Sequence, residues 1–387
     1  MSPHYDYVVV GLGGLGSATV YQLARRGAQV LGLEQFEFGH TRGASHDTSR
    51  ILRRSYHTPE YVKFAGEAYD DWMDLERDSG ETLVTVTGGL DLFPPGAAIP
   101  EADYAASMAE VGVQYERLDA KQVRLRWPTV ALPDGGIALY QADTGIVHAA
   151  RTVAVLQRLA SQYGAELRDR CPVTRIAVND AGDIEVTAGE TITSRRLILC
   201  ADAWTNTLLA DLDEHLPLTV TQEQVTYFQP EAPEEFAPGR FPVWIWMDDP
   251  SFYGFPCYGG PAVKAGQDVG GRITTGDERD FVPDRANVDQ LTAFMRRTFP
   301  GSAASIAHTV TCLYTLTPDR DFVIGSLPSH PDVLVGLGAG HAFKFVPAIG
   351  RVLADLAIAN DTSSDIRAFS PGRDALQSPG AEVHWLV

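Results

Sequence analysis

Three glycines, Gly11, Gly13 and Gly16, follow the apolar run Tyr7-Val8-Val9-Val10 and open a helix-like stretch that ends at Gly27. At this spacing a backbone can cradle a pyrophosphate. Gly11 permits a tight turn, Gly13 lets the chain approach phosphate oxygens, and Gly16 lets the helix pack closely on a sheet, while the helix N-terminus presents oriented N–H groups. A second strand-like run, Ala28-Gln29-Val30-Leu31-Gly32-Leu33, closes on Glu34, whose carboxylate can accept from a ribose hydroxyl. Strand, turn, helix, strand and acid in this order predict a dinucleotide-binding βαβ unit. Other candidates stand out by scarcity. Of the 31 basic residues only Lys63, Lys121, Lys264 and Lys344 are lysine, and the last two sit among glycines and aromatics. A compact ammonium whose pKa shifts on burial suits chemistry that a guanidinium does not.

The elements that follow bear on which dinucleotide is bound. A nicotinamide-binding domain continues with further βα units beside the first. Here Glu34 is followed by the polar, glycine-containing segment 38–50, and only then by an amphipathic helix expected near 59–77. Long loops inside a compact domain are usually functional, and we read this one as laid along an extended FAD.

With 387 residues the chain has room for two domains and needs no disulfide staples. Its four cysteines form no CxxC pair and no zinc site, which suits a reducing compartment. A net charge of −19 argues against nucleic acid and anionic membranes as partners. No apolar run reaches the roughly 18 residues of a membrane span, and no leader pattern precedes the first strand, so a cytoplasmic protein is expected.

Further along, a strand pair is expected over 85–93 and a helix over 102–111, with another after His148. A hairpin at 173–178 and 184–188 leads into a buried strand at 197–201. Residues 216–265 alternate in the β manner, interrupted by a proline-rich loop at 229–242. A helix is expected at 287–298, then strands at 322–325 and 333–336, a glycine turn, and a helix from 345 to 358 that tolerates Pro347 in its first turn. The N-terminus of that last helix, directed at a flavin, would stabilise the negative charge that appears there on reduction.

The N-terminal unit, Arg50-Ile51-Leu52-Arg53, Tyr253-Gly254-Phe255-Pro256, Thr311-Cys312-Leu313-Tyr314-Thr315 with Pro318-Asp319, and Gly340-His341-Ala342-Phe343-Lys344 together resemble the monomeric sarcosine oxidase and N-methyltryptophan oxidase family, D-amino-acid-oxidase-like flavoproteins, in order from about residue 5 to 370. The resemblance implies a fold of α/β plus α+β class. A discontinuous Rossmann-type FAD-binding domain, 1–84, 145–215 and 310–387, carries a mostly antiparallel-sheet substrate domain, 85–144 and 216–309. It implies a monomer that oxidises a secondary amino acid, N-methyl or cyclic. The implied chemistry passes hydride from the amine α-carbon to flavin N5, after which O2 would be reduced to H2O2.

Residue by residue, Cys312 matches a cysteine joined to the flavin by a thioether, and Lys264 matches the lysine that assists oxygen reduction by stabilising superoxide as it forms. Arg53 and Lys344 match the pair that clamps the substrate carboxylate. His46 and Arg50 match residues lying against the flavin ring, and Tyr253 and Tyr314 match residues lining the amine pocket. Gly11, Gly13, Gly16, Glu34, Val173, Gly340, His341 and Lys344 complete the cofactor set. Clustered cations, Arg50, Arg53, Arg54, Lys264 and Lys344, would favour the amine as its free base.

The chain departs from the family pattern in several places. Asp268 replaces a histidine expected to contact substrate, Arg54 follows the clamp arginine where a histidine is usual, and Asp202 and Ala342 replace glycines. Trp244 and Trp246 either reshape the cavity or serve as core aromatics. Small pocket changes alter substrate choice, since one methylene is worth only about 1–3 kcal/mol. A tailoring oxidase of a biosynthetic pathway, acting on a cyclic imino acid or unusual amine, is therefore an alternative. A nicotinamide dehydrogenase, which a yellow protein excludes, is another, and a flavin-binding protein without catalysis is a third.

Overall fold

In the computed structural model, which describes residues 3–179 and 181–377, the chain opens with strand His4–Val10, helix Gly14–Arg25 and strand Val30–Leu33, as the glycine spacing requires. The two strands pair in parallel, Val8 opposite Leu31. Both are apolar on both faces because the sheet is covered on both sides. Val9 belongs to a core beneath the helices with Val20, Leu23 and Ile198, whereas Val8 and Val10 join Leu31, Leu197 and Val335 on the opposite face. Helix Gly14–Arg25 packs against helices Ala149–Gln162 and Val346–Ala359. The second contact is close enough that a Cβ on Gly350 would meet the Ala18 Cβ at 2.5 Å.

The next strand of this sheet is Glu166–Arg168, parallel to Val30–Leu33, so more than a hundred residues intervene before the layer resumes. Strand Glu190–Leu199 lies parallel to His4–Val10 on the other side. Its first half pairs with the antiparallel hairpin Arg175–Val178 and Ile184–Ala188, and its end pairs in parallel with Val333–Leu337. Strand Val323–Ser326 completes the eight.

The intervening chain builds a nine-stranded sheet from residues 89–141, 219–273 and 305–316. It is antiparallel except where Val243–Trp246 runs parallel to Gly89–Phe93. A small three-stranded sheet, Arg50–Leu52, Gly145–Val147 and Val84–Val86, lies where the chain passes from one large sheet to the other. The fold class read from the sequence is the one observed. Strand Ser305–Leu316, which crosses the boundary expected at residue 310, belongs to the large antiparallel sheet, and residues 378–387 of the expected FAD-binding domain lie outside the described residues.

Two local expectations change. Residues 85–93 are not a strand pair: Val84–Val86 and Gly89–Phe93 belong to different sheets, divided at Gly88, whose φ is +70°. The proline-rich stretch 229–242 includes a short 3-10 turn, Pro233–Phe236, which buries Phe236.

Candidate active site

A cavity of about 360 Å³ is walled by both large sheets, by segment 38–50 and by the turn before helix Val346–Ala359. It gathers Gly11, Gly13, Glu34, His46, Arg50, Arg53, Val173, Tyr253, Lys264, Asp268, Cys312, Tyr314, Gly340, His341 and Lys344. Gly16 is not in the wall. It lies behind the turn, where a Cβ would stand 1.8 Å from the Gly11 carbonyl oxygen, so its part is to let helix and turn meet. Gly16→Ala is therefore expected to yield a colourless protein with a lowered melting temperature; a yellow, equally stable variant would show that the turn tolerates displacement.

At the glycine turn, Gly11 holds φ +90°, and a Cβ there would lie 2.5 Å from the Cys200 carbonyl oxygen. Glu34 accepts from the backbone N–H of Leu12 at 2.9 Å and of Phe36 at 3.1 Å, with His40 Nε2 at 3.4 Å. Burial raises its carboxyl, but the His40 contact and the two N–H groups outweigh burial and hold it below the usual range. A carboxylate kept ionised at this strand end is suited to a ribose diol. Ser45 Oγ accepts from the Gly14 N–H at 2.9 Å, docking segment 38–50 onto the helix start. Arg50 braces the same segment through the carbonyls of Ala44, His46 and Ser49, and Arg279 through those of Thr41 and Arg42. Burial, then Arg50, lower the His46 pKa to about 4, leaving a neutral ring. Its Nε2 is buried without a partner among the described residues. The glycine cradle, the ionised acid and this orphaned wall nitrogen fit a bound FAD.

Lys264 extends from strand Val263–Gln267 and Cys312 from Ser305–Leu316, both beside strand Thr219–Gln229. The Lys264 Nζ is 2.7 Å from Asp47 Oδ2. Burial raises the Cys312 thiol to about 11, with Arg50, Arg279 and Lys264 opposing. Tyr314 lies against Gly340, where a Cβ would stand 2.8 Å from its ring; with φ +84°, Gly340 is doubly a glycine position.

A second polar group forms around Tyr56. Lys344 Nζ donates to Tyr56 Oη at 2.9 Å and to the His341 carbonyl at 2.8 Å, and the Arg53 guanidinium stacks 4.7 Å from the Tyr56 ring centre. Arg53 Nη1 is also 3.3 Å from Asp91 Oδ1, both side chains buried. Burial and then Arg53 press the Lys344 ammonium well below its usual range, with Asp268 opposing. Asp268 lies 3.5 Å from Arg320.

Three expectations are revised. Arg54 points away from the cavity, pairing with Asp143 at 3.0 Å and stacking on Tyr69, and so takes no part in the cation cluster. The remaining cations are not a bare positive field: Asp47 lies beside Lys264 and Asp91 beside Arg53, and Asp268 acts on Lys344 while pairing with a further cation, Arg320. Trp244 and Trp246 are core aromatics, packed on Phe294 and, for Trp244, on Phe299 at 4.2 Å; Ile245 between them faces the cavity instead. Asp202 adopts φ +47° in the cavity wall, where burial raises its carboxyl to about 6. Reading the sequence missed Tyr56, Asp47, Asp91 and Arg320. Only Asp91 carried a signal, as a lone acid within an otherwise apolar strand.

A family profile described as FAD dependent oxidoreductase matches residues 6–356. The chain belongs to that family. It is 38% identical to the monomeric sarcosine oxidase of Streptomyces avermitilis, over 96% of this chain and 98% of the relative. It is 31% identical to the N-methyl-L-tryptophan oxidase of Salmonella arizonae, over 95% and 99%. Among solved structures, NikD, described as an unusual amino acid oxidase essential for nikkomycin biosynthesis, superposes with a TM-score of 0.85 at 30% identity, over 96% of this chain and 98% of that one. The motifs quoted from the sequence thus identified the right family, and the chain is a FAD-dependent flavoprotein oxidoreductase. Among the described residues, no helix is long and apolar enough to cross a membrane.

Proposed function

We propose that this flavoenzyme oxidises a secondary amino acid, N-methyl or cyclic, and passes the electrons to oxygen with release of hydrogen peroxide. The observation that carries the reading is the convergence on one cavity of the glycine cradle, Lys264 with Cys312, and Arg53 with Lys344, which Tyr56 joins from behind the wall. The FAD-binding and substrate layers are the eight- and nine-stranded sheets. Bound FAD supplies the acceptor for a hydride from the amine α-carbon and the electrons that reduce oxygen. Arg53 and Lys344 bind the substrate carboxylate through a guanidinium fork and a point charge, and this fixes the α C–H in line for transfer. Tyr253 and Tyr314 wall the amine group away from water. The Lys264 ammonium offers positive charge where oxygen is reduced.

Anaerobic mixing with sarcosine, other N-methyl amino acids, proline and pipecolate, followed by air, tests the reading. Bleaching with rapid recovery and peroxide supports it and ranks substrates, whereas bleaching without recovery points to another electron acceptor. A tailoring oxidase is the second reading, favoured by the likeness to NikD and by the acidic Asp268 in the cavity wall. Cys312 is the proposed covalent anchor of the flavin. Acid precipitation of the wild type is expected to give a yellow pellet and a clear supernatant, and Cys312→Ala to reverse this; flavin freed from the wild type would remove the thioether.

A further inference from the structure

Lys264 has three acceptors around its Nζ: Asp47 Oδ2 at 2.7 Å, the Ser49 carbonyl at 3.0 Å and Ser49 Oγ at 3.1 Å. These occupy all three N–H groups of an ammonium. The lysine is only 3% exposed and lies over the rings of Phe255 and Tyr227. The remaining oxygen of Asp47, Oδ1, accepts from Tyr227 Oη at 2.5 Å and from the Thr48 N–H at 2.7 Å. Asp47 holds this arrangement at φ +79°, a conformation uncommon outside glycine, while its carbonyl accepts from the Ala150 N–H at 3.0 Å. Strain of this kind collects at functional sites.

We propose that Asp47 is the positioning residue of Lys264, keeping it a cation at the cavity wall and fixing the direction of its charge. The proposal rests on the reading that Lys264 serves oxygen reduction. The groups facing the lysine are Asp47 and His46 from segment 38–50, Arg50 from the small sheet, Tyr227 from strand Thr219–Gln229, and Cys312 from strand Ser305–Leu316 with Arg279 beyond it. Burial and Arg50 both disfavour the ammonium, and with Asp47 opposing them Lys264 stands at about 8. His46 is neutral, Tyr227 is raised and keeps its proton, and the Cys312 thiol is raised to about 11. Asp47, held well below the usual range by Lys264 despite its own burial, is thus the anion of the set.

The consequence is electrostatic and protonic. Oxidation of the amine to an imine releases two electrons and two protons, and oxygen takes up two of each to leave as hydrogen peroxide. A lysine held as the ammonium offers a fixed positive charge at the wall where these protons and electrons meet oxygen. The neutral amine does not.

Because the chain has four lysines, selective 13C,15N-lysine labelling of the holoenzyme lets the Lys264 side-chain resonance be followed by NMR against pH, assigned with Lys264→Gln. Asp47→Asn is expected to move its midpoint down by about 1–3 pH units. Asp47→Gly removes the same charge while suiting the positive φ, so it should do the same without loss of fold. Ser49→Ala, which leaves the carboxylate, should move it less. An unchanged midpoint in both Asp47 variants overturns the proposal. In parallel, the pH profile for reoxidation of pre-reduced holoenzyme should shift down with the NMR midpoint. If the midpoint falls and the oxygen profile does not, the hold of Asp47 on the lysine stands, and the role of Lys264 in oxygen reduction is what fails.

Discussion

Lys264→Met is expected to leave bleaching by the amine close to wild type and to slow the return of colour in air by about 10²–10³-fold, the usual effect of losing one preorganised charge or donor at a reacting oxygen. The split follows from geometry. Lys264 belongs to the Asp47, Ser49 and Cys312 side of the cavity, whereas the groups assigned to the substrate carboxylate surround Tyr56. Methionine keeps an unbranched apolar stem beside Phe255 while removing the charged Nζ that lies over its ring. Stopped-flow reduction and reoxidation, measured separately, check this. Equal slowing of both half-reactions would mean that the substitution had disturbed the cavity as a whole.

Arg53→Leu should act twice. It removes half of the carboxylate clamp, so KM for carboxylate-bearing amines should rise while simple amines are little affected. It also leaves Asp91 buried without its cation. Arg53 is 6% and Asp91 5% exposed, and breaking a buried pair from one side costs about 3–5 kcal/mol. Burial already raises the Asp91 carboxyl against the pull of Arg53, so the orphaned acid is expected to take up a proton. The double variant Arg53→Leu, Asp91→Leu removes the uncompensated acid and should regain most of the lost melting temperature without regaining substrate affinity. If the single variant kept both its melting temperature and its KM, Arg53 would be neither the clamp nor the partner of Asp91.

The legible parts of the site were those fixed by backbone requirements or by rarity. Gly11 and Gly16 announce the turn because no other residue fits there, and Lys264 and Lys344 stand out in a chain that otherwise uses arginine. The FAD reading came from what does not follow Glu34, and the long gap before strand Glu166–Arg168 is its structural counterpart. The counter-ions were not legible. Asp47 sits in a polar loop where an acid is unremarkable, and it is singled out only when Lys264, more than two hundred residues away, folds against it. Strand Ser305–Leu316 also escaped, because its first four residues are exposed and polar or small in the main, and its end is buried on both faces and so shows no alternation. Trp244 and Trp246 could be placed on neither side of their strand until Phe294 and Phe299 were seen behind it.

The tethering of segment 38–50 by Arg279 bears on when the protein can acquire its cofactor. The carbonyl of Thr41 is held by a side chain 238 residues further along, which also grips Thr311 next to Cys312. On the ribosome the phosphate cradle emerges early, but the wall that faces it is still being translated. The nascent chain therefore carries only half of the site through most of its synthesis, and the complete cavity exists only once the segments bearing Lys264, Cys312 and Lys344 have been made and folded against the cradle.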